Sequence, residues 1–171
     1  MRLYSGQVEA VARDLLDVLT SEEHLEVSAE NMEEVQKDIE SVLKEFIRLD
    51  RELVEDAREA ISRGGRGSIG KNKRKIARDK GVKIIVDDPV GYIIEQLIET
   101  FFHSHFVDEV YSLDRQMRKK MSPILKNYMS VEEELDEEVR DKIKNLEEGS
   151  QAWDIEYQKV MENLKQDKNL E

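Results

Sequence analysis

The chain has 171 residues and a formal net charge of −12, and hydrophobic and charged residues each make up 39% of it. Cysteine is absent, which excludes disulfides, thiolate metal ligands and a cysteine nucleophile. No apolar run approaches the ~20 residues needed to cross a bilayer. The opening MRLYSGQVEA also lacks the apolar region of a signal peptide. We therefore expect a soluble, cytoplasmic protein of one domain or two small ones.

Apolar residues in the first third of the chain recur every three or four positions, which predicts amphipathic helices. One helix is predicted from Ser5, a candidate N-cap, to about Thr20. A long helix follows Ser28 and covers about 29–63, where two glycines end it. Its apolar seam has heptad spacing and consists of Met32, Val35, Ile39, Val42, Phe46, Leu49 and Leu53.

The second half of the chain repeats this plan after a connector. Residues 82–86, VKIIV, are interpreted as a short extended or buried link, and Pro89 is suited to the first position of a helix over about 89–104. A long helix is then predicted over roughly 112–147, with a kink or a break at Pro123 and Ser122 as N-cap. The last helix follows Gly149 and Ser150.

Residues 42–68 and 124–150 align without a gap at an offset of 82. Apolar positions upstream keep the same offset, so that Val8 falls on Val90 and Leu15 on Leu97. We therefore predict tandem duplication, with helical repeats over 1–81 and 82–171 that are separate units or one continuous domain. The identical pairs are Leu43/Leu125, Lys44/Lys126, Glu52/Glu134, Leu53/Leu135, Glu55/Glu137, Arg58/Arg140, Ile61/Ile143, Gly67/Gly149 and Ser68/Ser150.

These patterns predict an all-α fold of two pseudo-equivalent helical units. We expect the long helices to pack as a bundle or as a coiled-coil-like pair, within one chain or across a homodimer. The residues expected to be largely buried are Leu43, Phe46, Leu53, Leu125, Tyr128 and Leu135.

Several stretches resemble one bacterial family. They are the opening MRLYSGQVEAVARDLLDVL, the stretch ELDEEVR and the stretch GSQAWDIEYQKVM, and the similarity extends over nearly the whole chain. The family is the one catalogued as domain of unknown function 507. The resemblance implies a helical, cytoplasmic, bacterial protein. It implies no catalytic residue in this chain.

Residues 63–83 form a basic segment in an otherwise acidic chain, with nine Lys or Arg against one acid, Asp79. Clustered cations release counterions from a polyanion, which makes this segment a candidate site for nucleic acid. The segment lacks an aromatic residue on which a base could stack. An equally simple partner is an acidic surface of this chain or of a second copy. The candidate polyanion contacts are Arg63, Arg66, Lys71, Lys73, Arg74, Lys75, Arg78 and Lys80.

Two motifs in the sequence suggest chemistry but match their templates poorly. GRGSIGKN at 65–72 differs from a P-loop in having Asn72 in place of the Mg²⁺-binding Ser or Thr, and it follows a helix instead of a strand. We interpret it as a flexible turn followed by a solvated basic tail. The Glu-x-x-Glu pairs at Glu52 and Glu134 lack the histidines of di-metal bundles, so surface ion pairs explain them better. The pair His103 and His105 is a weak metal candidate.

Trp153 is the only tryptophan and begins the apolar stripe of the last helix. We interpret it as an aromatic anchor that closes one end of the core, and the alternative is a partner-binding anchor formed with Tyr157. No catalytic, cofactor-binding or metal-binding constellation stands out. The sequence therefore favours a non-enzymatic scaffold or adaptor that binds another protein. The alternative, less favoured, is binding of nucleic acid or another polyanion through residues 63–83.

Overall fold

The computed structural model describes residues 1–171 and is all-α, as predicted, apart from two short strands. No helix is long and apolar enough to span a membrane. The strands β1 (Leu25–Glu26) and β2 (Glu109–Val110) pair antiparallel, with Leu25 opposite Val110. The helices are α1 (Val8–Ser21), α2 (Met32–Ser62), α3 (Ile69–Asp79), α4 (Ile84–Asp87), α5 (Pro89–His103), α6 (Asp114–Met129), α7 (Val131–Lys142) and α8 (Gln151–Asp167).

Four helices enclose the main hydrophobic core. Helix α1 packs against both α2 and α6, and α5 packs against the same two helices. Both predicted repeats therefore contribute to one core, which includes Leu15, Leu43, Leu97 and Leu125. The main neighbours of α2 are α1, α3 and α5, so the packing is that of a multi-helix bundle.

A second, smaller core joins α7 and α8 to the two ends of the chain. The backbone N–H of Gly6 donates to the carbonyl of Leu170 at 3.0 Å, and that of Arg2 donates to the carbonyl of Met129 at 3.0 Å. The first bond holds the N-terminal and C-terminal segments side by side, and the second joins the N-terminal segment to the end of α6. The buried members of this core are Tyr4, Leu135, Val139, Ile143, Met161, Leu164 and Leu170.

The predicted burial is confirmed at five of six positions: Leu43, Phe46, Leu53, Leu125 and Leu135 are buried. Tyr128 is half-buried instead, and its hydroxyl donates to Asp14 Oδ2 at 2.6 Å. The burial of this ring is limited because its polar end bonds to a carboxylate near the surface.

The predicted break at Pro123, with Ser122 as N-cap, is wrong, and the prediction for residues 82–86 holds only in part. Helix α6 continues through the exposed Pro123, and the interruption falls at Ser130, between α6 and α7. Residues 82–86 are not extended, because Ile84–Asp87 form the short helix α4, in which Ile85 is buried. In both cases the packing of apolar side chains outweighs the local conformational preference of single residues.

The turns before α3 and α8 are built alike. Gly67 has φ +98° and Gly149 has φ +85°, a left-handed conformation that glycine adopts readily. The serine that follows each glycine caps the next helix: Ser68 Oγ accepts from Lys71 N at 3.3 Å, and Ser150 Oγ accepts from Trp153 N at 3.2 Å. Helices α3 and α8 thus begin at equivalent positions of the 82-residue offset, while duplication itself stays a prediction.

Replacing Ser150 with alanine is expected to lower the free energy of unfolding by about 1 kcal/mol, because the N–H of Trp153 loses its acceptor. Ser62→Ala is the matched control. Its exposed hydroxyl only donates back to the carbonyl of Glu59 within α2, so its loss should not destabilise the protein. Urea unfolding of both variants measures the difference, and equal effects would show that the Ser150 cap contributes nothing specific.

Candidate functional site

Helix α3 carries most of the basic segment and lies along α2. Its inner face presents Ile76 and Ala77 to the main core. Lys73 Nζ lies 2.5 Å from Asp50 Oδ1, and Lys80 Nζ lies 2.6 Å from Asp56 Oδ2, so both lysines bridge to α2. The hydrogen bonds that Lys80 donates to Asp56 and Glu52 raise the pKa of its ammonium group. The segment predicted to be a solvated tail is therefore a docked helix.

The opposite side of α3, here the outer face, carries four cations. They stand at spacings of three, one and three residues, which places them in one stripe on a helix. All four are exposed, and none makes an ion pair with a carboxylate. The members of the outer face are Lys71, Arg74, Lys75 and Arg78.

The structure thus divides the eight predicted polyanion contacts into two groups. Arg63 pairs with Glu59, and Lys73 and Lys80 pair with α2, so these three cations are already balanced by carboxylates of the same chain. Arg66, in the turn before α3, and the four residues of the outer face have no such partner. The predicted pairing with the protein's own acidic surface accounts for the first group only.

Trp153 and Tyr157, the predicted partner anchors, make contacts within the chain. Their rings stack with centroids 5.0 Å apart, and the guanidinium of Arg140 lies 5.3 Å from the centroid of the indole ring. The hydroxyl of Tyr157 donates to Asp136, and burial together with this bond raises the pKa of Tyr157 to about 12. Both rings pack against the second core, as expected for an anchor at one end of the helices.

A surface that was not predicted from the sequence extends from the last turn of α5 to the start of α6. It consists of Phe102, Phe106, Tyr111 and Leu113, whose exposed fractions are 59%, 37%, 62% and 69%. The hydroxyl of Tyr111 donates to Glu26 of β1, and a cleft of about 570 Å³ opens there. These four residues, here the 102–113 surface, follow no helical period, which is why periodicity did not reveal them.

A cleft of about 650 Å³ separates the N-terminal segment from α2, α3 and α7. The hydroxyl of Tyr4 is buried beside it without a hydrogen-bond partner, and burial raises the pKa of Tyr4 to about 12. Cations and carboxylates alternate along the walls: Arg2 lies 3.8 Å from Glu132, and Lys73 pairs with Asp50. Neither sign of charge dominates, and no nucleophile–base pair lines the cleft.

The weaker motifs of the sequence have structural roles. The amide of Asn72 donates to the carbonyls of Arg66 at 3.2 Å and Ser68 at 3.0 Å, so it closes the turn before α3. His103 Nδ1 donates to the carbonyl of Glu99 at 2.8 Å, at the end of α5. No group of three or more His, Cys, Asp or Glu side chains is arranged to hold a metal ion.

Comparison with known proteins tests the resemblance noted in the opening segment and in the ELDEEVR and GSQAWDIEYQKVM stretches. No curated protein matches the chain. A family model described as "Protein of unknown function (DUF507)" matches residues 1–170. The match covers both predicted repeats, the basic segment and the 102–113 surface. The chain therefore belongs to the DUF507 family.

Proposed function

We propose that this protein is a non-enzymatic helical adaptor that binds another protein through the 102–113 surface. The observation that carries the proposal is the exposure of four large apolar side chains within one stretch of the chain, residues 102–113. Grouped exposed apolar residues of this kind mark interaction sites on soluble proteins. Aromatic residues are also enriched among the side chains that contribute most to protein binding.

The connection that carries these side chains is held in place by the fold. The β1–β2 pairing fixes its middle, and Val107 and Val110 pack against the main core. The N–H of Tyr111 donates to the carbonyl of His24 at 3.0 Å. A preformed surface loses little conformational entropy when a partner binds, which favours affinity.

The charges near this surface define the chemistry of the partner. Glu23, just before β1, and Glu109, in β2, are exposed and make no ion pair. We therefore expect the partner to offer an apolar patch with basic residues at its edge, because such charges complement these carboxylates. A second copy of this chain is the other occupant that the test must distinguish.

The double variant Phe102→Ser/Leu113→Ser should lose at least about tenfold in partner affinity, since two exposed apolar contacts are removed. Ile155→Ser is the matched control, because Ile155 is 59% exposed on α8, away from this connection. Affinity capture of tagged proteins from the host, with a nuclease treatment and mass spectrometry, identifies the partner, and titration with that purified partner measures the affinity. Capture of the same proteins by the double variant, at unchanged affinity, would contradict the proposal.

Sedimentation of the purified protein distinguishes a second copy from a different partner. A dimer that the double variant loses and Ile155→Ser retains would identify the surface as a homodimer interface. A monomeric wild type with a captured partner would assign the surface to a different protein.

A second candidate function is polyanion binding by the outer face of α3. It is supported by the four exposed cations that have no carboxylate partner, on a helix whose other lysines are already paired. Heparin is a general polyanion probe, and its binding at low ionic strength tests this function. No binding even at low salt would exclude it.

A further inference from the structure

We propose that the outer face of α3 binds the phosphate backbone of duplex DNA. This inference rests on the second candidate function, polyanion binding, and names its ligand class. It starts from the packing of α3 on α2, which leaves some cations of the basic segment facing α2 and others facing away from it. Lys73 and Lys80 turn to the carboxylates of α2, and Lys71, Arg74, Lys75 and Arg78 are left in one exposed row.

The dimensions of this row suit a duplex. From Lys71 to Arg78 the helix axis advances about 10 Å, at about 1.5 Å per residue. Duplex DNA carries one negative charge per about 1.7 Å of its axis, so a row of this length lies opposite several phosphates.

The acidic remainder of the protein does not cancel this row. The carboxylates of α2 nearest to α3 are held by Lys73 and Lys80 on its inner face. Asp79 is the only acid within the helix. At physiological ionic strength charges are screened over about 8 Å, so the more distant carboxylates act weakly on a ligand at the outer face.

The composition of the segment favours a duplex over a single strand. Proteins that hold single strands stack the bases on aromatic side chains, and residues 63–83 contain no aromatic residue. The amide of Asn72 is bonded to the carbonyls of Arg66 and Ser68, so it is not free to bind a base edge. Contacts to phosphate should therefore dominate the affinity.

The test compares the 171-residue protein with two quadruple variants, each of which removes four positive charges. Fluorescence anisotropy with a mixed-sequence 20-base-pair DNA, its single strand and labelled heparin measures binding at two salt concentrations, and circular dichroism checks folding. All eight positions are exposed or half-buried on helices and make no ion pair. The outer-face variant carries Lys71→Ala, Arg74→Ala, Lys75→Ala and Arg78→Ala. The control variant carries Arg115→Ala, Lys119→Ala, Lys126→Ala and Lys159→Ala.

We expect wild type and the control variant to bind the duplex, and the outer-face variant to bind at least about a hundredfold more weakly. With four phosphate contacts, the slope of log K against log salt should be about −3.6. Equal losses in the two variants would mean that net charge alone governs binding, and this would overturn the proposal. Single-strand binding as tight as duplex binding would also overturn it.

Heparin distinguishes the DNA proposal from the more general hypothesis of polyanion binding. If the outer face binds heparin but no duplex, the DNA assignment fails and polyanion binding stands. If wild type binds neither ligand at low salt, both fail. Alanine has a high helix propensity, so these substitutions on exposed positions should leave α3 folded and its docking on α2 unchanged.

Discussion

Replacing Leu53 with alanine is expected to lower the free energy of unfolding by about 2–5 kcal/mol. Leu53 lies in α2, is 3% exposed and belongs to the main core together with Ala77 of α3. Truncation removes apolar contacts and leaves a cavity, because neighbouring helices close such a space only in part. Urea unfolding at a fixed protein concentration measures the change.

Leu113→Ala is the matched control, because the same atoms are removed from a side chain that is 69% exposed. Its effect should stay within about 0.5 kcal/mol. A loss below that value for Leu53→Ala would show that the seam is not core. Similar m-values for both variants and wild type would show that the change lies in stability and not in the compactness of the unfolded chain.

The burial of the seam could be predicted because it depends on local geometry. Side chains three and four residues apart lie on one side of a helix, so the apolar period identifies the buried side without knowledge of the neighbours. Leu43 and Leu125 illustrate this, since both are fully buried at equivalent positions of the offset. Tyr128 departs from the pattern because its hydroxyl bonds to Asp14 of α1. The apolar period of α6 does not show which residues of α1 lie next to it.

The position of the helix break could not be predicted from a single residue. Proline lacks an N–H and disfavours a helix interior, which costs about 3 kcal/mol. In α6, however, Met121 and Leu125 on either side of Pro123 are fully buried, and their packing favours an unbroken helix. The sequence shows the local cost, whereas the compensating contacts are made with α1 and α5.

The division of the basic segment into two faces was also beyond the sequence. The count of charges does not show which cations meet acids, because the pairs join α3 to residues of α2 that are distant along the chain. Lys73 with Asp50 and Lys80 with Asp56 form only once the two helices lie side by side. The position of α2 against α3 therefore determines which cations of the segment stay free.

The offset of 82 describes the order and the pairing of the helices better than the burial of their residues. It places α1 on α5, and it places α2 on α6 and α7 together. It fails for the buried side of the last helix in each half: Ala77 is buried on α3, and Lys159, its counterpart on α8, is exposed. Helix α2 continues to Ser62, whereas the corresponding stretch is interrupted at Ser130, and α8 packs on α7 in the separate second core.

Gly6→Ala should destabilise the protein by about 1–3 kcal/mol, the usual cost of an added atom for which there is no space. A Cβ at Gly6 would lie 1.9 Å from the carbonyl oxygen of Asn169, which belongs to the backbone and cannot rotate away. The C-terminal segment would have to move, which would weaken the bond from Gly6 N–H to Leu170 and withdraw the Leu170 side chain from the second core.

Gly70→Ala is the control for this prediction, because a Cβ at that position of α3 meets nothing nearer than Ser68 Oγ at 4.0 Å. It should stabilise the protein by up to about 1 kcal/mol, through the higher helix propensity of alanine. Truncation after Lys168 tests the cause, because it removes the carbonyl that the methyl group added by Gly6→Ala would strike. In that background Gly6→Ala should cost less than about 0.5 kcal/mol, as expected when one mutation removes the contact on which the other acts. Thermal and urea unfolding of the four combinations measure this coupling, and an undiminished cost in the truncated chain would show that the C-terminal segment is not its source.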